Sequence, residues 1–250
     1  MIPPPEFIVM QETDSTNQYA HELLNQNENI QHGTAIMSLY QTAGKGQKNN
    51  HWESERGANL LVSVILKTDF LDASSLNLLN QAVAISVCDF LQAWCGVVFK
   101  VKWPNDIMYG EHKIAGILIE NTIRGKMCSS SIIGVGINLN QMTFRDYLPK
   151  ATSVKRINNA GVDSIESFGM GWRQKLLDHL EILKNEGGGE IADAYQQKLF
   201  GLHETRWFAS DGQSFQGQIT GVDQNGLLNL STESGEVKFG LKEVKYLFKE

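Results

Sequence analysis

The sequence predicts an α+β protein, a large domain of buried strands and a few long helices followed by a small all-β unit. Three observations carry this. Leu76, Leu79, Val83, Val87, Phe90 and Trp94 step by three or four residues, which marks Ser74–Trp94 as an amphipathic helix. Short apolar, partly β-branched runs flank that helix on both sides, as buried strands do. After Phe200 the pattern changes to brief strands punctuated by Asp211-Gly212, Asn225-Gly226 and Ser234-Gly235, the turn spacing of a small antiparallel barrel or sandwich. The expected domains are therefore residues 1–200 and 201–250, the second small enough to lean on the first.

Phe7–Gln11 reads as a short strand. Asp14, Ser15 and Thr16 are N-cap candidates for a helix that runs to Leu24. Thr34–Tyr40 is a second strand, Gln41–His51 a loop almost without apolar residues, and Asn59–Leu66 a buried strand. Beyond the long helix, strands are expected at Val98–Lys102, Lys113–Thr122 and Ser129–Asn138, with Arg124-Gly125-Lys126 turning the last two into a hairpin. Helices follow through Ile165–Asn185 and Glu190–Leu199, separated by Gly187-Gly188-Gly189. The last strands are expected at Trp207-Phe208, Gln213–Val222, Leu227–Leu230, Glu236–Phe239 and Val244–Phe248.

Composition narrows the function classes. With 42% hydrophobic and 20% charged residues, the chain can bury an ordinary core. A net charge of −6 without a block of lysines or arginines argues against DNA or other nucleic acid as the main partner, since phosphate neutralisation needs a basic face. The three cysteines, Cys88, Cys95 and Cys128, show neither disulfide nor zinc spacing. The first residues lack a signal peptide, and no apolar run is read as reaching the ~20 residues of a membrane helix. The expectation is a cytoplasmic protein with no membrane partner. His32, His51, His112, His179 and His203 have no metal-ligand spacing and are expected on the surface or in loops.

Four segments carry chemistry. Lys102-Trp103-Pro104-Asn105-Asp106 sets a Trp-Pro corner beside an Asn-Asp pair, and Lys113 opens the apolar run Ile114-Ala115-Gly116-Ile117-Leu118-Ile119. A lysine there either marks the wet end of a strand or is a charge strengthened by partial burial. The loop from Gln41 through Gly44, Lys45, Gly46, Gln47 and Lys48 to Trp52 combines free amides, cations and a stacking surface; it is a connector or an anion-wrapping loop, and not a Walker motif. Gly134-Val135-Gly136-Ile137-Asn138 strips one face of a strand, either to relieve crowding or to admit a flat ligand. Asp14-Ser15-Thr16-Asn17 caps a helix whose N-terminus can also hold a polar group.

Taken in order, these segments, together with Gly57-Ala58-Asn59-Leu60 and Ala151-Thr152-Ser153, resemble the biotin protein ligase family. The resemblance covers residues 8–155 by motif and the rest by architecture. It implies a mixed-sheet catalytic domain of the biotin/lipoate ligase type followed by a small SH3-like β-barrel. It also implies a reaction in two steps. Biotin and ATP, with Mg²⁺, give biotinyl-5′-AMP and pyrophosphate; a lysine of a biotin carboxyl carrier protein then takes the biotinyl group. Two anions must meet, which asks for focused cations, and the anhydride must be kept from water.

Carried over residue by residue, the resemblance gives Ser15, Thr16 and Asn17 the ureido ring of biotin, with Gln41 nearby. Gly44, Lys45, Gly46 and Gln47 belong to the closing loop, and Trp52 packs over adenine. Lys113 bridges the biotin carboxylate and the α-phosphate as the main catalytic residue. Gly116 and Gly136 allow close backbone approach, Asn138 contacts the nucleotide, and Asn105 and Asp106 shape the nucleotide and metal side, with no Mg²⁺ ligand assigned. The resemblance also allows a weak homodimer through edge strands of the catalytic sheet. No DNA-binding domain precedes the first strand, so the expectation is a ligase that is not a repressor.

The loop departs from the family pattern Gly-Arg-Gly-Arg-x-Gly-Arg-x-Trp. Its three arginines are replaced by Lys45, Gln47 and Asn50, which removes arginine's two-pronged grip and predicts weaker retention of the adenylate. The rival readings are a lipoate or octanoate ligase or transferase of the same fold, and a non-catalytic module that keeps the pocket.

Overall fold

The computed structural model describes residues 6–26, 29–47, 50–146 and 149–248. Its main domain is built on a seven-stranded mixed sheet in the order β1-β2-β3-β7-β6-β5-β4. These strands are β1 (Phe7–Met10), β2 (Thr34–Ser38), β3 (Leu60–Lys67), β4 (Lys100–Lys102), β5 (Asp106–Tyr109), β6 (His112–Arg124) and β7 (Met127–Ile137). Only β1 and β2 pair in parallel; the other neighbours are antiparallel.

Alternation along the strands explains the layers. Ile36, Ile65 and Ile132 turn to one face and form a small core under α1 (Thr16–Gln26) with Ala20. Ala35, Met37, Val64, Leu66 and Ile133 turn to the other, under α2 (Leu76–Cys95), α4 (Ile165–Glu186) and α5 (Gly188–Gln197). A strand buried on both faces must be apolar throughout, and β3, Leu-Leu-Val-Ser-Val-Ile-Leu-Lys, is apolar at all but Ser63 and its terminal Lys67. That buried serine is a sign of the site.

Several expectations are corrected. Asp106–Tyr109 is a strand, overlooked because only Ile107 and Met108 in it are apolar. The short α3 (Val154–Asn158) was also unforeseen; the Ser153 hydroxyl accepts from Arg156 N at its start, and Asn159 ends it in the left-handed conformation (φ 61°). Gly187 alone interrupts the last two helices, and Gly188 and Gly189 belong to α5. The stretch Ala73–Cys95 is, by length and composition, apolar enough to cross a membrane. Here it packs under the sheet against α4 and α5 as a core helix. His179 is not a surface residue: it is buried on α4, with Nε2 3.0 Å from Asp89 Oδ2 and Nδ1 2.9 Å from the Lys175 carbonyl.

The C-terminal unit is a five-stranded antiparallel sheet, order β11-β10-β9-β8-β12. Its strands are β8 (Thr205–Ser210), β9 (Gln213–Val222), β10 (Leu228–Thr232), β11 (Gly235–Phe239) and β12 (Lys245–Tyr246). β11 and β12 are its two ends, and among the described residues no pairing joins them. Phe208, Ile219, Leu228 and Leu230 share the main hydrophobic core. Trp103 Nε1 donates to the Gly226 carbonyl (3.0 Å), tying the Trp-Pro corner to this sheet.

Candidate active site

The α1 face of the sheet opens into a cleft of about 980 Å³. Its floor is a consequence of register. Gly116 of β6 lies opposite Gly136 of β7, which lies opposite Leu61 of β3; one step along, Leu118, Gly134 and Ser63 line up in the same way. Glycine is required here because neighbours press on the floor. A Cβ at Gly136 would stand 2.7 Å from Trp52 Cζ2, and one at Gly116 2.9 Å from Trp52 Cζ3. A Cβ at Gly134 would fall onto Asn17 Oδ1.

One end of the cleft is polar and buried. The first turn of α1 presents Ser15, Thr16 and Asn17, all buried. The Ser63 hydroxyl bridges Thr16 Oγ1 (2.7 Å) and Asn17 Oδ1 (2.6 Å). Asn17 Nδ2 donates to Glu120 Oε2 (2.6 Å), which fixes the direction of the amide. Gln41 Oε1 accepts from the backbone N–H (2.7 Å) and hydroxyl (3.0 Å) of Thr16. Such a network holds polar atoms in fixed directions, so that a polar ligand group can pair with the lone pairs and protons it leaves unused.

The other end is cationic. Asp106, at the start of β5, receives Lys113 Nζ at 2.5 Å and Lys102 Nζ at 2.8 Å. Burial works against its ionisation; the two lysine cations overcome that and hold its carboxyl below the usual carboxylate range. A depressed folded value means the pairing is complete above the unfolded value of ~3.9 and is lost only as pH falls through the lower folded value. Asp106→Asn should therefore lower kcat/KM by roughly tenfold or more at every pH between 6 and 8, as loss of charge-assisted bonds does. Paired pH–rate profiles check this; an acid limb that moves within the neutral range contradicts it.

Asn105 braces the corner, donating Nδ2 to the Ile117 carbonyl (2.7 Å). Asn138 Nδ2 donates to the Thr152 carbonyl (3.0 Å), while Lys113 bridges Ala151, so the Ala-Thr-Ser segment backs the Lys113 end of β6. The loop folds over the floor by pairing Lys45 with His51 and by Trp52 N–H donation to the Gly44 carbonyl (2.9 Å). Lys113 Nζ lies 5.4 Å from the centre of the Trp52 ring, whose Nε1 is buried without a partner. Among the described residues lining the cleft, Lys45, Lys102, Lys113, Arg145, Lys242 and Lys245 are basic and only Glu53 and Asp106 acidic. An acidic protein with a basic cleft focuses anions there.

The structure gathers Ser15, Thr16, Asn17, Gln41, Lys45, Gly46, Gln47, Trp52, Asn105, Asp106, Lys113, Gly116, Gly136 and Asn138 around this one cleft. Gly44 stands outside the lining, buried where a Cβ would be 2.6 Å from the Trp52 carbonyl oxygen. Lys48 and Asn49 lie outside the described residues. Ser63, Glu120, Lys102 and Gly134 complete the site and were not among the expected site residues. Lys102 and Gly134 stood within segments already singled out, and Ser63 carried a signal as the one polar side chain within an otherwise apolar strand core.

A glycine floor between a buried hydrogen-bonding end and a cationic end makes a cleft that can seat a polar-headed ligand with an anionic group beside Lys113. Residues 9–138 match the Biotin/lipoate A/B protein ligase family, and the chain belongs to it. It is 31% identical over 229 residues to a bifunctional ligase/repressor BirA of Bacillus spizizenii, covering 88% of this chain and 68% of that protein. With the Escherichia coli bifunctional ligase/repressor BirA it shares 35% over 126 residues, 50% of this chain and 38% of the relative. A biotin protein ligase from Aquifex aeolicus, solved with biotin and ATP, has the same fold. Its TM-score is 0.81 at 24% identity, over 98% of this chain and 99% of that one.

Proposed function

We propose that this chain is a biotin protein ligase, which activates biotin with ATP and transfers it to a lysine of a biotin carboxyl carrier protein. The observation that carries the reading is the floor of Gly116 and Gly136, running from the Thr16–Asn17–Ser63 network to the Lys102–Asp106–Lys113 cluster. The ureido ring takes the polar end, which leaves the carboxylate beside Lys113. Lys113 neutralises that carboxylate and the α-phosphate of ATP, so that one carboxylate oxygen bonds to phosphorus while the bond to pyrophosphate breaks. In the second step the carrier's neutral lysine amine attacks the acyl carbon, AMP leaves and the amine's proton is lost.

Trp52 closes the floor and supplies the ring for adenine, its unpaired Nε1 offering a donor to the ligand. Lys45, Gln47 and Asn138 complete the nucleotide side. Mg²⁺ arrives on the triphosphate as part of the substrate. Among the described residues no cluster of three His, Cys, Asp or Glu side chains forms, and both Asp106 oxygens hold lysines. We read residues 1–200 as the catalytic unit and 201–250 as an SH3-like unit, whose Val244, Tyr246 and Phe248 wall the cleft. The open edge at β1 supports a homodimer, and the free thiols of Cys88, Cys95 and Cys128 support a reducing, cytoplasmic setting. The deciding experiment is incorporation of labelled biotin into a purified carrier domain with Mg-ATP. Transfer is expected; no transfer, where a known ligase works, would remove the reading.

A further inference from the structure

The β8–β12 pair carries an apolar patch on its outer face. Tyr246 lies opposite Phe208, and the Leu247 amide donates to the Trp207 carbonyl (2.9 Å), so the pairing extends one residue further. Alternation sends Phe208 and Tyr246 inward, where their rings pack at 5.1 Å. Trp207 and Leu247 therefore stand outward, 47% and 41% exposed. The outer face of a half-buried antiparallel sheet is a place for polar residues. A directly opposed Trp–Leu pair there marks a surface made for contact.

This pair forms one wall of a groove of about 560 Å³, and Glu111, His112 and Lys150 of the main domain form the other. Arg206 locks the walls together, donating to both Glu111 oxygens (2.8 and 3.2 Å) and to Glu204 (2.7 Å). The groove is thus pre-formed, which lowers the entropic cost of binding. It is also continuous with the catalytic cleft: Pro149 and Phe248 line both. His112 and Lys150 each immediately precede a residue, Lys113 and Ala151, of the bridge that lines the cleft.

Resting on the ligase reading, we infer that this groove docks the carboxyl carrier domain, with Trp207 and Leu247 as its apolar anchor. The carrier's lysine then enters the cleft past Pro149 and Phe248. The reaction needs a protein substrate only for its second step, and that protein must deliver an amine to an acyl carbon beside Lys113. A surface outside the cleft, one wall of which carries His112 directly before Lys113, meets both conditions. A second copy of this chain fits less well, because it would close the path that the lysine uses.

The test uses Trp207→Ser, Leu247→Ser and the double variant in the full chain. Biotin-dependent ATP–pyrophosphate exchange, which involves no carrier, is expected to stay unchanged and doubles as the control for folding. The KM for carrier in the transfer reaction is expected to rise roughly tenfold or more in the double variant, as for loss of an interfacial aromatic anchor, with kcat little altered. An unchanged carrier KM with intact exchange removes the inference alone. Exchange falling in parallel with transfer, or a changed oligomeric state with carrier KM unmoved, also overturns it. Absence of exchange in the wild type removes the ligase reading and this inference with it.

Discussion

Lys113→Ala is expected to slow adenylate formation by about 10²–10³-fold, the cost of removing one pre-organised charge from a water-poor site. The lysine sits 2.5 Å from Asp106, at the mouth of a strand whose next residue, Ile114, is fully buried. Its charge is therefore felt at low effective dielectric. Breaking a buried ion pair normally destabilises by about 3–5 kcal/mol, because one charge is left alone. Asp106 keeps Lys102 at 2.8 Å, so the variant should retain most of its stability and the loss should be catalytic. Exchange kinetics and thermal unfolding, run side by side, separate the two. Near-wild-type exchange would remove Lys113 from the mechanism; a large fall in melting temperature would assign it to the fold.

Gly134→Ala is the second large effect expected, and it acts at the opposite end of the cleft. The added methyl would coincide with Asn17 Oδ1 and come 3.0 Å from its Cγ. Asn17 cannot step aside cheaply, since Ser63 and Glu120 hold both ends of its amide. Displacing it breaks at least one buried hydrogen bond, about 1–3 kcal/mol, or roughly a 5–150-fold rise in the KM for biotin. The maximal rate of exchange should fall much less, because the Lys102–Asp106–Lys113 cluster lies at the other end. Steady-state exchange against biotin concentration checks this, and an unaltered KM would show that Asn17 does not hold the ligand.

How much of this was legible before the fold is best judged from particular residues. Strands β2, β3, β6 and β7 announced themselves as apolar, partly β-branched runs, α2 through its apolar period and α1 through its capping residues. Two short elements did not: β5 has two aliphatic residues and α3 spans one turn, too little for any period. Lys113 and Gly136 could be named because their types are odd in an apolar context, whereas Asp106 and Gly116 were named through the family resemblance. Their partners could not. Glu120 looks like an ordinary strand-end charge, and only the β6–β7–β3 register places it, with Gly134 and Ser63, against Asn17. His179 was misjudged for a related reason: its partner Asp89 is on another helix, so nothing local reveals that it is buried.

The contribution of the C-terminal sheet is the least local feature of all. Val244 and Tyr246 reach the cleft only because the sheet docks on the Trp103 corner, a contact between residues more than a hundred positions apart in the chain.

The most direct test of the central claim is ATP–pyrophosphate exchange by the wild-type chain, with biotin and with lipoate as alternative acids. The account predicts exchange that depends on biotin and is poorly supported by lipoate, because a dithiolane ring offers the polar Thr16–Asn17–Ser63 end no hydrogen-bonding group. Exchange driven by lipoate and not by biotin would contradict it.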